Sequence, residues 1–119
     1  MTARYLEDFT VGQRFGSGRL RMDTEQITTF ASAFDPQPFH RDEEAARDTL
    51  FRGLAASGWH TAAVTMRLLV ESDLTPASGL VGTGFDECRW PRRVRREMSC
   101  ASGAKCSRCG RRSRVRTRG

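Results

Sequence analysis

Trp59-His60-Thr61-Ala62-Ala63-Val64-Thr65-Met66-Arg67-Leu68-Leu69-Val70-Glu71 is apolar at nearly every turn of a helix. A helix without a polar stripe must be covered on most sides by other elements. The 119 residues of the chain suit one small domain with a real core, in which this helix is expected to be largely buried. Ser57 and Gly58 mark its N-terminus, where backbone N–H groups without intrahelical partners can bind developing negative charge. Ser72-Asp73, Pro76 and Gly79 end it.

A second helix precedes it. Asp23 is its N-cap, Gln26 completes a capping box, and Met22 and Ile27 occupy the positions of a hydrophobic staple. Ile27, Phe30, Ala31 and Phe34 form one apolar stripe at i, i+3, i+4 and i+7. The helix stops in Phe34-Asp35-Pro36-Gln37-Pro38-Phe39-His40. Each proline disfavours helical geometry in the residue before it, so the chain is expected to run extended to His40. An acid and an imidazole at a stiffened separation suit proton transfer. Spacing alone also fits an Asp-Pro turn with a surface histidine.

The remaining segments are read more coarsely. Residues 1–22 suggest a lead-in and short strands, with turns at Gly12 and at Gly16-Ser17-Gly18. Arg41 to Asp48 reads as a short exposed helix with acids in its first turn. Leu80 to Trp90 reads as a strand with glycine irregularities, closed by Pro91.

Charge divides the chain. Residues 1–90 hold nine Arg against thirteen Asp and Glu (−4), while 91–119 hold ten Arg and one Lys against one Glu (+10). Three of the four cysteines, Cys100, Cys106 and Cys109, fall in the basic part. No apolar run is long enough for a membrane span, and the N-terminus has no apolar signal region, so the expected location is cytoplasmic.

Phe34 to His40 resembles the hydratase motif of the MaoC-like dehydratases, the family that includes the (R)-specific enoyl-CoA hydratases. Ala56-Ser57-Gly58-Trp59-His60 resembles the entry to that family's central helix. Phe85 to Arg95, with Trp90-Pro91-Arg92-Arg93-Val94-Arg95, resembles the strand and turn that follow. The resemblance implies an α+β hot-dog fold, an antiparallel sheet wrapped around a helix from Trp59 to about Leu74. It implies reversible syn addition of water to a trans-2-enoyl thioester on coenzyme A or an acyl carrier protein. Asp35 and His40 would share the water, one abstracting a proton and the other supplying one. The Gly58 N–H would receive the thioester oxygen, and Ser57 and Trp59 would bind substrate. No metal or other cofactor is implied, and the expected partner is a second copy of the chain. Bland alternatives stand beside these roles: Ser57 as a helix cap, Trp59 as core, and His60 as structural rather than a second acid or base.

The resemblance stops after Arg95, which sets a partial hot-dog domain over residues 1–95 and a basic tail over 96–119. The tail shows no period-2 pattern and few apolar residues, so disorder is expected. A one-base frameshift at Arg95–Arg96 would explain it, since Arg-Glu-Met-Ser-Cys can be recoded as the family's Pro-Gly-Asp turn. On that reading the sheet is incomplete and activity weak or absent. Two other readings remain open. One is a hot-dog thioesterase. The other is a non-enzymatic fragment whose tail holds zinc through Cys106-x-x-Cys109, with Cys100 as a third ligand, or binds nucleic acid through charge alone, without specificity.

Overall fold

The computed structural model describes residues 3–77, 79, 84–106 and 115–118. After a 3₁₀ turn at Leu6–Asp8 the order is β1 (Arg14–Arg21), α1 (Thr24–Phe34), α2 (Pro38–Arg41), α3 (Glu43–Arg47), α4 (Gly58–Val70), β2 (Ser99–Cys106) and β3 (Val115–Arg118). Two compact units divide the chain: Met1–Arg19, Thr65–Phe85 and Ala101–Gly119 in one, Leu20–Val64 and Asp86–Cys100 in the other.

In the first unit the strands lie in the order β1-β2-β3. β2 and β3 are antiparallel, in register from Gly103 opposite Arg118 to Cys106 opposite Val115. β1 neighbours β2, and just before β1 the Gly12 N–H donates to the Cys106 carbonyl at 2.7 Å and the Cys106 N–H to the Gln13 carbonyl at 2.9 Å. Phe15, Leu69, Leu74 and Ala104 are buried together, with Phe9 packed against them. Strand and helix side chains thus share one core, and burying each large apolar side chain favours folding by about 1.5–3 kcal/mol.

Three expectations are corrected here. The turn at Gly16-Ser17-Gly18 is absent, because β1 runs straight through it. The Ser102 N–H donates to the Ser17 hydroxyl at 2.7 Å, so the neighbouring strand holds this glycine-rich stretch extended. Disorder after residue 95 is also wrong for Ser99–Cys106, which is a strand with Ser102, Ala104 and Cys106 on its buried face. The alternation is there in small residues, so hydropathy does not register it. The central helix ends at Val70 rather than near Leu74. There the Ser72 hydroxyl donates to the Leu69 carbonyl at 2.5 Å and accepts from the Leu74 N–H at 3.2 Å, which closes the helix end.

In the second unit α1 forms as its cap predicts. Asp23 Oδ1 accepts from the Gln26 N–H at 2.7 Å, and Gln26 Oε1 accepts from the Asp23 N–H at 3.4 Å. Ile27 and Ala31 are buried, but Phe34, the last position of the stripe, is 75 % exposed. The chain is not extended as far as His40. Gln37 is extended, and Pro38 then begins α2 at N1, where its missing N–H costs nothing. Asp42 caps α3 by accepting from the Glu44 N–H at 2.9 Å. The strand expected up to Trp90 is absent over Gly84–Trp90, which is irregular, while 80–83 lie outside the described residues. The central helix is not covered all round, since Trp59, Met66 and Val70 are exposed. Among the described residues no helix is long and apolar enough to cross a membrane.

Candidate active site

Asp35 and His40 come together because α1 stops where it does. Asp35 is the C-cap of α1, its N–H still bonded to the Ala31 carbonyl at 2.8 Å. Pro36 prevents another helical residue, and α2 then turns His40 back toward the acid. His40 Nε2 lies 3.4 Å from Asp35 Oδ2.

Each group is also held from elsewhere. The Ser57 hydroxyl donates to Asp35 Oδ2 at 2.7 Å, and Gln37 Nε2 donates to Oδ1 at 2.6 Å. These bonds, Ser57 first and Gln37 second, hold the Asp35 carboxyl below its ordinary range, with a smaller contribution from His40, although burial opposes them. Asp35 is therefore a stable carboxylate at neutral pH.

His40 is buried, and its Nδ1 lies 2.7 Å from the Ala55 carbonyl oxygen. A carbonyl only accepts, so Nδ1 carries the proton and donates. In the neutral ring Nε2 then presents its lone pair toward Asp35. Ala55 is itself fixed, since its N–H donates to the Phe39 carbonyl at 3.1 Å and the next N–H, on Ala56, donates to the Val94 carbonyl at 2.7 Å. The rings of Phe39 and Phe51 pack on the imidazole, at centroid distances of 4.5 and 5.7 Å.

Ser57 is fully buried immediately before α4, and its carbonyl accepts the Thr61 N–H at 3.0 Å. Its hydroxyl proton goes to Asp35. Gly58 is the first residue of α4, where an N–H has no acceptor within the helix. A Cβ on Gly58 would lie 2.9–3.2 Å from the Trp90 indole, so glycine is what lets that ring cover the helix start. Trp59 is 59 % exposed and meets Trp90 edge-on at 5.5 Å, which removes it from the core.

His60 is buried, stacked on Phe30 at 4.6 Å, and its Nδ1 has no hydrogen-bond partner among the described residues. Burial pushes its pKa down, so it is a neutral ring.

Sequence reasoning missed Gln37, Ala55, Phe51 and Trp90. Gln37 had a signal, because an amide two residues after an acid can bond it across a turn. Ala55 acts through its backbone, which no side-chain pattern reveals. Of the zinc reading, Cys109 lies outside the described residues, and burial raises the Cys100 thiol pKa, against the thiolate a metal needs. No metal-binding group of three ligands occurs among the described residues.

The profile of the MaoC-like domain family matches residues 8–117. YdeM of Bacillus subtilis (strain 168) is 38 % identical over 78 residues, which is 66 % of this chain and 55 % of YdeM; the chain thus spans about half of that relative. The crystal structure of a MaoC-like dehydratase from Rhodospirillum rubrum superposes with a TM-score of 0.83 at 53 % identity, covering 87 % of this chain and 70 % of that one. The unliganded R-hydratase PhaJ1 of Pseudomonas aeruginosa gives a TM-score of 0.71 at 18 % identity, over 94 % of this chain and 74 % of that one, a likeness of fold alone. By sequence over nearly its whole length, and by fold, the chain belongs to the MaoC-like domain family and has the α+β hot-dog fold.

Proposed function

We propose that this protein adds water reversibly to a trans-2-enoyl thioester. One observation carries the reading: an ionised Asp35 and a His40 with Nδ1 tied to Ala55 face each other at 3.4 Å. Two acceptors at that separation suit one water that donates a proton to each. R-hydratases among the proteins of similar fold support the same chemistry.

In this mechanism the Gly58 N–H donates to the thioester carbonyl oxygen, and Trp59 and Trp90 flank the substrate. The water oxygen attacks the β-carbon as its proton moves to His40 Nε2. An imidazole is a better base than a carboxylate, and the bonds to Asp35 weaken that carboxylate further as a base. The double-bond electrons move into the carbonyl as an enolate, which the helix-start N–H stabilises by about 3 kcal/mol. The imidazolium, facing the Asp35 carboxylate, then returns its proton to the α-carbon on the same face, so addition is syn. The thioester supplies the activation, and the steps require no cofactor. A thioesterase would direct the water at the carbonyl carbon and release a thiol. The expectation of weak or absent activity rested on an incomplete sheet after Arg95, and the strand at Ser99–Cys106 supplies part of what that expectation took to be missing.

Hydration of crotonyl-CoA, followed by loss of enoyl-thioester absorbance, tests the reading. Asp35→Asn and His40→Ala are each expected to lower kcat by roughly 10²–10⁴-fold, the usual worth of a positioned acid or base. Thiol release without loss of the double bond would replace hydration with hydrolysis.

A further inference from the structure

The hydration steps leave one buried polar group of the second unit unused. His60 is 8 % exposed, and its Nδ1 has no hydrogen-bond partner among the described residues. Leaving a buried ring nitrogen unpaired is costly, and an apolar side chain would pack on Phe30 without that cost. A polar atom kept at such a place calls for a partner that arrives with a ligand.

The ring lies beside the reacting groups. Ser57 immediately precedes α4 and His60 is three residues further on, so their side chains stand on one face, a turn apart. From that face the Ser57 hydroxyl reaches Asp35. From it the His60 imidazole reaches α1, stacked on Phe30 with ring centroids 4.6 Å apart and an interplanar angle of 9°. Phe30 in turn meets Phe34, the residue before Asp35, at 5.1 Å. With the thioester carbonyl at the Gly58 N–H and the β-carbon at the shared water, an acyl chain that continues between α1 and α4 passes along Phe30 to the imidazole.

The ring also dictates the chemistry of its partner. Burial keeps the imidazole neutral, so Nδ1 is either a donor or an acceptor and not both. A carboxylate only accepts, and it would bring an uncompensated charge into a buried aromatic site. A hydroxyl donates or accepts, suits either tautomer and has no charge to desolvate. Its place on the chain follows from reach. A hydroxyl on the γ-carbon stands one carbon beyond the reacting pair, and its hydrogen bond spans about 2.8 Å more. Together these match the roughly 5–6 Å between side chains one turn apart.

We propose that His60 selects the acyl group, with Nδ1 hydrogen-bonded to a hydroxyl on the γ-carbon of the enoyl chain, so that a short γ-hydroxylated enoyl thioester is preferred over a plain alkyl one. The inference rests on the hydration reading above and narrows its acyl group.

Two measurements test it. The first compares turnover of two near-isosteres, 4-hydroxy-trans-2-butenoyl-CoA and trans-2-pentenoyl-CoA, in which a hydroxyl replaces a methyl. The parent protein is expected to show kcat/KM about tenfold higher for the hydroxylated thioester, because a site built to bond a hydroxyl penalises its absence. His60→Leu is expected to reverse that preference. A purely structural histidine would change both rates alike and leave their ratio where it was. That result, or a parent that prefers the pentenoyl thioester, overturns the proposal. The second measurement needs no turnover. His40 and His60 are the only histidines, so the ring ¹⁵N resonances of the labelled protein are few, and His60→Gln identifies those of His60. Saturated 4-hydroxybutanoyl-CoA is expected to shift the His60 Nδ1 resonance, and pentanoyl-CoA to leave it in place. A resonance that moves equally with both, or with neither, as when a permanently buried water holds Nδ1, overturns the proposal. If the protein hydrates neither enoyl thioester the hydration reading falls, and the nitrogen resonance alone decides whether His60 binds the hydroxyl.

Discussion

The oxygens of Asp35 are shared among three neighbours: Ser57 and His40 at Oδ2, and Gln37 at Oδ1. Ser57 has the largest influence on its titration. Asp35 titrates lower in the folded protein than in the unfolded chain, so it adds stability above the unfolded value, and that stability is lost as pH falls through the folded value. Ser57→Ala removes the largest cause. It is expected to cost roughly 1.5–3 kcal/mol at neutral pH, as for other hydrogen bonds to a charged group, with the deficit shrinking below about pH 4 as the carboxyl is protonated. Urea unfolding at several pH values measures both. A deficit that does not change with pH would mean that Ser57 matters only for packing. At this scale the sequence was half legible. Acid and imidazole stand out at their spacing. The groups that aim them do not, because one is a backbone carbonyl at Ala55 and another a serine that reads equally well as a cap.

Among the elements, the start of α4 is the most tightly constrained. Gly58→Ala keeps the N–H but brings a methyl within 2.9 Å of the Trp90 ring, which must move. Hydration is expected to fall roughly 10²-fold, as for other small misplacements of a reacting group. Replacing Trp90 with Leu in the same protein is expected to restore part of it, as a double-mutant cycle would show. An unchanged tryptophan emission in Gly58→Ala would contradict the contact. The elements themselves were legible where local signals are strong. Asp23 and Gln26 marked the start of α1, and Phe34 its end. Pro38 was read as a breaker when it opens a helix, because one residue serves both purposes and only the following turn distinguishes them. β2 escaped notice since its buried face is built from serine, alanine and cysteine. Phe85 to Trp90 looked like a strand by composition, yet a paired strand also requires a neighbour, and composition is silent about neighbours.

For the molecule as a whole, buried titratable groups shape the response to acid. His60 has a folded-state pKa below its ordinary value of about 6.5. On acidification the unfolded chain therefore binds a proton before the folded protein does. Stability contributed by keeping this ring neutral is full above about pH 6.5 and falls as pH drops below it, by at most about 1.4 kcal/mol per pH unit for one proton. His60→Gln is expected to lose less stability than the parent between pH 7.5 and 5.5. Parallel denaturation curves for the two proteins over that interval would refute the assignment. The fold class was legible at this scale through the family resemblance that the order of motifs carries. The extent of the sheet was not, because a change of composition after Arg95 was taken as the end of structure.

The hydrogen bond from Ser57 to Asp35 joins residues 22 apart, and His40 to Ala55 joins residues 15 apart within the same span. The site is thus tied off at the neck of a single loop whose exposed tip includes Asp48 and Leu50. Lengthening such a loop costs little, about 0.6 kcal/mol for each doubling, and leaves the neck where it was. Residues gained or shed at that tip, or new surface contacts there, would leave the paired groups at the neck in place. The excursion between acid and hydroxyl is a place where descendants of this chain can diverge while the positions of Asp35, His40 and Ser57 stay the same.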